Sequence, residues 1–250
     1  MSIGRTCIRL VNSFVSLVVI LAILLFGSYS AYALWDNNQI YSQAENVQIQ
    51  MQELKPVLDV ESETGPTFDE LLAINRDVRG WITMDGTKID FPILQGDTNL
   101  SYINTNVYGK FALAGSIFLD CRNSGDFSDT YNLIYGHHMA NSNMFGDLDL
   151  YRDEKFFREN TTGLLMTVGA VYELKILALV IVSASDDNIF DVTVNQDPED
   201  VLTFITENAV FSSNDLPQAE DGVQFLALST CSSDFSDART VIITQMIRQK

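Results

Sequence analysis

The sequence is poor in histidine, cysteine and basic residues, and these shortages narrow the range of functions. Its 250 residues include two histidines, three cysteines, and 15 Lys and Arg against 33 Asp and Glu, so the formal net charge is −18 at pH 7. Nucleic acid is not an expected partner, because binding a phosphate backbone needs clustered Lys and Arg. The two histidines are adjacent and lack the spacing of metal-ligand motifs, so neither a metal nor another cofactor is predicted.

Charge is absent from Leu10 to Trp35, although the chain as a whole is strongly acidic. This stretch is apolar over the ~20 residues that a bilayer-spanning helix requires. Arg5 and Arg9 precede it, and Asp36 follows it. By the positive-inside rule, residues 1–9 are expected in the cytoplasm, residues 10–35 across the membrane, and the rest of the chain outside the cell.

A cleaved signal peptide is the alternative to a retained membrane anchor. The triplet "AYA" at Ala31–Ala33 resembles the small-x-small site at which signal peptides are cut. The apolar stretch is longer than the ~7–15 residues of a signal-peptide core, which favours the anchor. The predicted location is therefore the cell membrane, with a single span and an extracellular domain.

The exported part divides into a helical appendage, residues 36–75, and a β-rich domain, residues 76–250. The β-rich part consists of short apolar runs separated by Gly, Asn and Asp, which predicts an antiparallel sandwich or a closed barrel rather than a βαβ fold. The predicted strands lie in "GWITMDG", "KIDFPILQG", "GSIFLD", "YNLIYG", "GLLMTVG", "VYELKILALVIVSAS", "VQFLALSTC" and "RTVIITQMI".

Two predicted helices interrupt these strands. The first is "GDLDLYRDEKFFREN", and the second is "DPEDVLTFITENAVF". The second has Pro198 at its start, and Val201, Phe204 and Ile205 are spaced to form one apolar face.

The last two predicted strands, Phe225–Cys231 and Arg239–Met246, carry the first sign of chemistry. If they form a hairpin around "SSDFSDA", Cys231 and Arg239 lie opposite each other at the ~4.5–5.5 Å spacing of cross-strand neighbours. A nearby positive charge favours the thiolate, and an arginine can donate hydrogen bonds to an oxyanion. The pair therefore predicts a cysteine nucleophile with an arginine beside it.

A thiol nucleophile needs an acid that protonates the leaving amine, and His137 and His138 are the only histidines. They follow the apolar strand "NLIY" and Gly136. Adjacent residues at the end of a strand point to different sides, so one histidine is expected to face the site and the other to face away.

Cys121 and Cys231 both follow the membrane segment, and in an exported domain two cysteines ordinarily form a disulfide. A domain of this size does not need a disulfide for stability, and the surroundings of Cys231 indicate chemistry. The residues alone leave both interpretations open.

Three segments resemble the class B sortases, which are membrane-anchored cysteine transpeptidases of Gram-positive bacteria. They are "YGHHMANSNMFGDL", "LSTCSSDFSDAR" and "INRDVRGWITMDGTKIDFPILQGDTNLSYINTNVYGKFALAGSIFLD". The resemblance runs from about Ile74 to Ile247. It implies a mainly β fold, a closed eight-stranded barrel with N-terminal helices and a helical insert between strands six and seven. Papain-type proteases have the opposite order of Cys and His, and L,D-transpeptidases have Gly directly before the cysteine.

The resemblance also implies roles for individual residues. Cys231 matches the nucleophile, which attacks the carbonyl of a threonine and becomes a thioester acyl-enzyme. His137 matches the general acid and base, and Arg239 matches the arginine that contacts substrate and oxyanion. The positions that match the peptide groove of the family are Asn99, Ile103, Ser229, and Val201 to Ile205 on the second helical insert.

By the same resemblance, the enzyme cleaves a C-terminal sorting motif after Thr. Its partners are a surface protein that carries a sorting signal and an acceptor amine. The amine belongs to a peptidoglycan precursor or cross-bridge, or, in pilin polymerases of the class, to a pilin lysine.

Cys121 stands where relatives have Tyr or a similar residue. Since a disulfide would destroy the nucleophile, Cys121 is expected to be a free, partly buried thiol. The remaining alternative is a non-enzymatic, anchored β-domain for adhesion.

Overall fold

The computed structural model describes residues 2–56, 68–194, 196–231 and 237–249, and for residues 2–7 and Cys231 it describes the backbone alone. The chain forms two compact units, Met1–Gln43 and Ala44–Lys250. The first helix, α1, spans Ser2–Gln52. By length and composition its apolar part could cross a membrane.

Eight strands of the second unit close into a barrel. In the described part of the chain the strands are β1 (Val78–Met84), β2 (Asp90–Leu94), β3 (Ile117–Leu119), β4 (Tyr131–Tyr135), β5 (Thr162–Thr167), β6 (Val171–Ser183), β7 (Phe211–Ser212), β8 (Gln224–Cys231) and β9 (Ala238–Arg248). Their order is β5-β1-β2-β3-β4-β8-β9-β6, and β5 pairs with β6 to complete the ring, while the two-residue β7 adds to β6. The predicted strands and the closed eight-stranded barrel are confirmed.

Among the described strands, two pairs are parallel, although the sequence predicts antiparallel pairing. They are β2 with β3 and β4 with β8. Parallel neighbours need a long connection that returns the chain to the same end of the sheet, and both pairs have one. The pairing of β4 with β8 spans almost a hundred positions, so no local sequence pattern announces it.

Of the two predicted helical inserts, the second is one helix as predicted, whereas the first is divided into two elements. The second insert is α5 (Pro198–Asn208), with Asp197 capping the amide of Glu199 at 2.9 Å, and it falls between the sixth and seventh barrel strands, β6 and β8. The first insert is a 3-10 helix (Gly146–Arg152) followed by α3 (Glu154–Glu159), not one helix. Asp153 interrupts it, because its extended backbone ends the first element and its carboxylate caps the second at Phe156.

The described residues also form two further short helices, α2 (Asp69–Ile74) and α4 (Asp187–Phe190). The predicted apolar face of α5 is confirmed, because Val201, Phe204 and Ile205 are buried in one cluster with Phe225 and Ala227 of β8. A helix can pack only on the outside of such a barrel, so this face of β8 points outward. The inner face carries the alternate residues.

The end of α1 and the segment after it are fastened to the barrel by the carboxylate of Asp90. Asp90 Oδ1 accepts hydrogen bonds from Trp81 Nε1 at 2.6 Å, Lys55 Nζ at 2.8 Å and Thr83 Oγ1 at 3.0 Å. Trp81 is fully buried, so its indole N–H needs this acceptor. The same carboxylate accepts from Gln52 at 3.4 Å.

We predict that Asp90→Asn lowers the free energy of unfolding by about 1–2 kcal/mol, because it removes the charge that pairs with Lys55 and weakens the bond to the buried indole. Urea unfolding of the purified full-length protein, followed by far-UV circular dichroism, measures this. Glu173→Gln is the matched control, since it removes an exposed carboxylate from β6. Equal midpoints for the two variants would contradict the role given to Asp90.

Candidate active site

Cys231 and Arg239 are direct partners in the ladder between β8 and β9. The antiparallel register pairs Ser229 with Val241 and, at the end of the ladder, Cys231 with Arg239. The prediction that these strand ends lie opposite each other is confirmed. The thiol of Cys231 and the connecting residues 232–236 lie outside the described residues.

His137 follows the end of β4, the strand that neighbours β8 on the side opposite β9. The parallel register pairs Tyr135 of β4 with Ser229 of β8, and the amide of Gly136 continues the ladder by donating to the carbonyl of Ser229 at 3.1 Å. His137 is two residues beyond Tyr135, as Cys231 is two residues beyond Ser229. The backbones of His137, Cys231 and Arg239 therefore form one row across three neighbouring chain segments, with Cys231 in the middle.

Gly136 allows the chain to reach this position. A Cβ atom at Gly136 would lie 2.5 Å from Cδ1 of Ile117 and 2.7 Å from the ring of Phe145. The backbone that carries His137 is thus pressed against two buried side chains. Any side chain at this position would require Ile117, Phe145 or the backbone to shift.

The two histidines diverge, as predicted. His137 Nε2 lies 2.7 Å from the carbonyl oxygen of Ile103, whereas His138 Nε2 lies 2.7 Å from Oδ2 of Asp149. A carbonyl oxygen only accepts hydrogen bonds, so Nε2 of His137 carries a proton and Nδ1 is the nitrogen left to exchange one. His138 instead forms an exposed ion pair with Asp149 when it is charged.

A cavity of about 330 Å³ lies along this row. Five of the residues singled out from the sequence line it, namely Asn99, Ile103, His137, Ser229 and Arg239. The hydroxyl of Ser229 is buried and has no hydrogen-bond partner among the described residues. An unsatisfied buried hydroxyl in a cavity wall suits a polar group of a ligand.

Val201 and Ile205 are not brought to this cavity by the described part of the chain. They are 3% and 0% exposed and belong to the core between α5 and the barrel. Their spacing is that of a buried helical face, which a sequence pattern cannot distinguish from a ligand-binding face. The region before α5 contributes Ala184 and Phe190 to the cavity instead.

Three aromatic side chains that were not predicted from the sequence, Phe118, Tyr135 and Phe190, also line the cavity. Tyr135 lies between Phe118, at 5.2 Å between ring centroids, and Phe190, at 6.4 Å. Tyr135 could have been found, because it stands two residues before His137 on a strand and so shares its face. Phe190 carries no such signal, since only the fold brings α4 to this place.

A buried carboxylate, Asp120, lies behind the wall. Burial alone would raise its pKa, but hydrogen bonds from Arg122, Tyr135 and Asn99 hold that pKa below its usual range. Burial and the nearby charge of Asp120 raise the pKa of Tyr135, so its hydroxyl stays protonated and donates. Cys121, the next residue, is half-buried and free.

Comparisons with known proteins agree with this geometry. The chain is 30% identical to sortase B of Listeria monocytogenes over 235 residues, which cover 92% of this chain and 94% of that protein. A crystal structure of a Streptococcus pyogenes class B sortase involved in pilus biogenesis is 39% identical, with a TM-score of 0.65 over 72% of this chain and 97% of the other. Sortase B of Clostridium perfringens is 29% identical, with a TM-score of 0.66 over 72% of this chain and all of the other.

No family model matches the sequence. The extent of the similarity to the Listeria protein, together with the shared barrel, nevertheless defines the class. The chain belongs to the class B sortases, a family of cysteine transpeptidases.

Proposed function

We propose that this chain cleaves a C-terminal sorting motif after a threonine and transfers the acyl group to an amine. The observation that supports the proposal is the strand register, which pairs Cys231 with Arg239 and leads β4 to His137, together with a cavity that His137 and Arg239 line. A nucleophile, a proton carrier and an oxyanion donor are the three groups that acyl transfer requires.

The proposed reaction has two halves. The Cys231 thiolate, favoured by the positive charge of Arg239, attacks the threonine carbonyl, and the guanidinium donates to the oxyanion that forms. The C–N bond then breaks, Nδ1 of His137 protonates the leaving amine, and a thioester remains. The acceptor amine attacks that thioester, His137 takes up its proton, and the Cys231 thiolate is released.

Asn99, Ile103 and Ser229 are proposed to hold the acyl-donor peptide. The cavity combines apolar walls with a few polar groups, which suits one short extended segment whose carbonyls and amides need partners. Val201 and Ile205 have no place in this proposal, because both are buried in the core.

The acceptor is proposed to be an amine of a peptidoglycan precursor or cross-bridge. A lysine of a pilin is the second candidate, because the Streptococcus pyogenes relative is involved in pilus biogenesis and is 39% identical to this chain. To distinguish the two acceptors, the acyl-enzyme is incubated with each amine, and the product is identified by mass spectrometry.

Cys231→Ala should abolish cleavage, and Arg239→Lys should lose most activity, because an ammonium does not reproduce the planar five-donor fork of arginine. The measurement is mass spectrometry of a pentapeptide library incubated with the full-length protein, followed by kinetics on the peptide that is cut. The wild type should also yield an acyl-enzyme adduct. Cleavage by Cys231→Ala at the wild-type rate would contradict the proposal.

His137→Ala should reduce acyl transfer by at least ~10²-fold, the effect usual for loss of a general acid or base. His138→Ala is the matched control and should retain most activity, since the side chain of His138 is committed to Asp149. Steady-state transpeptidation of the same peptide, after both variants are shown to fold, gives the answer. A loss confined to His138→Ala would overturn the assignment.

The proposed topology places residues 1–9 in the cytoplasm and residues 10–35 across the membrane, with the appendage of residues 36–75 and the catalytic domain of residues 76–250 outside. Full-length protein should then stay in the membrane fraction after washing with high salt and carbonate. Protease added to intact cells should reach Asp36 and the residues after it. A soluble mature form that begins near Leu34 would show instead that "AYA" is a cleavage site.

A further inference from the structure

Asp120 is a buried carboxylate that gathers donors from three separate segments. Its side chain is 0% exposed. It accepts hydrogen bonds from Asn99 Nδ2 at 2.8 Å and Tyr135 Oη at 2.9 Å. Arg122 donates to it three times, through Nε and Nη2 at 2.8 Å each and through its backbone N–H at 3.0 Å.

Each of these donors leads to the wall of the cavity. Asn99 and Tyr135 line it directly. Arg122 reaches onward, since Nη2 also donates to the carbonyl of Phe190 at 2.5 Å and Nη1 lies 3.4 Å from Oδ1 of Asp191. Phe190 is itself a wall residue. The Asp120–Arg122 pair thus connects three wall elements that are far apart in sequence.

We propose that Asp120 and Arg122 are positioning residues, whose ion pair sets where Asn99, Tyr135 and Phe190 stand and thereby how tightly the acyl-donor peptide binds. This inference rests on the function proposed above. It assigns neither residue to the chemistry, because Arg239 is held by the ladder with β8, and His137 is held by the carbonyl of Ile103 and by the bond from Gly136 to Ser229.

Asn99 shows most directly how the wall depends on the carboxylate. Its amide group is fixed from both ends, since Nδ2 donates to Asp120 and Oδ1 accepts from the backbone amide of Cys121 at 2.7 Å. With both ends committed, the side chain has one orientation in the cavity. If Asp120 becomes an amide, Asn99 Nδ2 loses a charged acceptor, and charge-assisted bonds are the stronger ones.

Tyr135 transmits the same constraint to the aromatic wall. Its hydroxyl is tied to Asp120, and its ring lies between Phe118 and Phe190. Phe190 is held from the other side by Arg122 through its carbonyl. Release of the ion pair therefore frees two of these three rings, Tyr135 and Phe190, together.

Asp120→Asn and Arg122→Lys are the test variants. The first keeps the size of the side chain and removes its charge, whereas the second keeps the charge but cannot bond Asp120 and the Phe190 carbonyl through one planar fork. We expect KM for the peptide found in the library to rise ~10-fold, the equivalent of one charged hydrogen bond. We expect kcat to stay within about twofold, since the catalytic row is intact.

Asp90→Asn is the matched control. Asp90 also accepts hydrogen bonds from a lysine, a tryptophan and a threonine, but it does not line the cavity. We expect Asp90→Asn to lower the stability of the protein and to leave KM for the peptide unchanged. An equal rise of KM in Asp90→Asn would mean that general destabilisation is the cause, and would overturn the inference.

Hydrogen exchange of the full-length protein, measured by mass spectrometry without any peptide, provides a second readout. Asp120→Asn and Arg122→Lys should speed exchange in residues 97–103 and 187–192, whereas Asp90→Asn should leave those segments unchanged. If the wild type cuts no peptide, the proposed function fails while exchange still tests the positioning role. Unchanged exchange in both segments, or unchanged KM, would overturn that role. If Asp120→Asn does not fold, Arg122→Lys carries the same measurements.

Discussion

The site depends on the hydrogen-bonded register of β8 with its two neighbours. A slip of one residue in either ladder would turn the side chains of one strand to the opposite face of the sheet. The parallel ladder with β4 makes His137 level with Cys231, and the antiparallel ladder with β9 makes Arg239 level with it. The apolar core between α5 and the outside of the barrel fixes both registers, since Leu133, Ala227 and Ile243 occupy an earlier row of the same ladders and are buried there.

The sequence predicted what local patterns encode. Short apolar runs separated by Gly, Asn and Asp located the barrel strands, and the spacing of Val201, Phe204 and Ile205 located the apolar face of α5. The pairing of Cys231 with Arg239 followed from two runs that are close in the sequence. The break at Asp153 was missed because a capping carboxylate and an interior helical residue look alike in a pattern.

The cavity wall was less accessible to prediction, because its parts meet only in the folded chain. Asn99, Tyr135 and Phe190 belong to a loop, a strand and a short helix, and only the closed barrel brings them together. Val201 and Ile205 illustrate the converse problem. Their apolar spacing is satisfied by burial against the barrel surface under α5, and a sequence pattern does not distinguish this from contact with a peptide.

Chemistry and recognition are therefore held by different interactions. The row of His137, Cys231 and Arg239 rests on backbone hydrogen bonds, which are insensitive to side-chain identity at neighbouring positions. Leu100 and Ile103 lie in an exposed loop of the wall, and Phe190 lies on a short helix secured by Arg122. Substitutions in this loop and helix can change the shape of the cavity without moving the row, since they leave both ladders intact. Under the proposed function, this separation would let recognition of the peptide change while the proposed catalytic row stays in place.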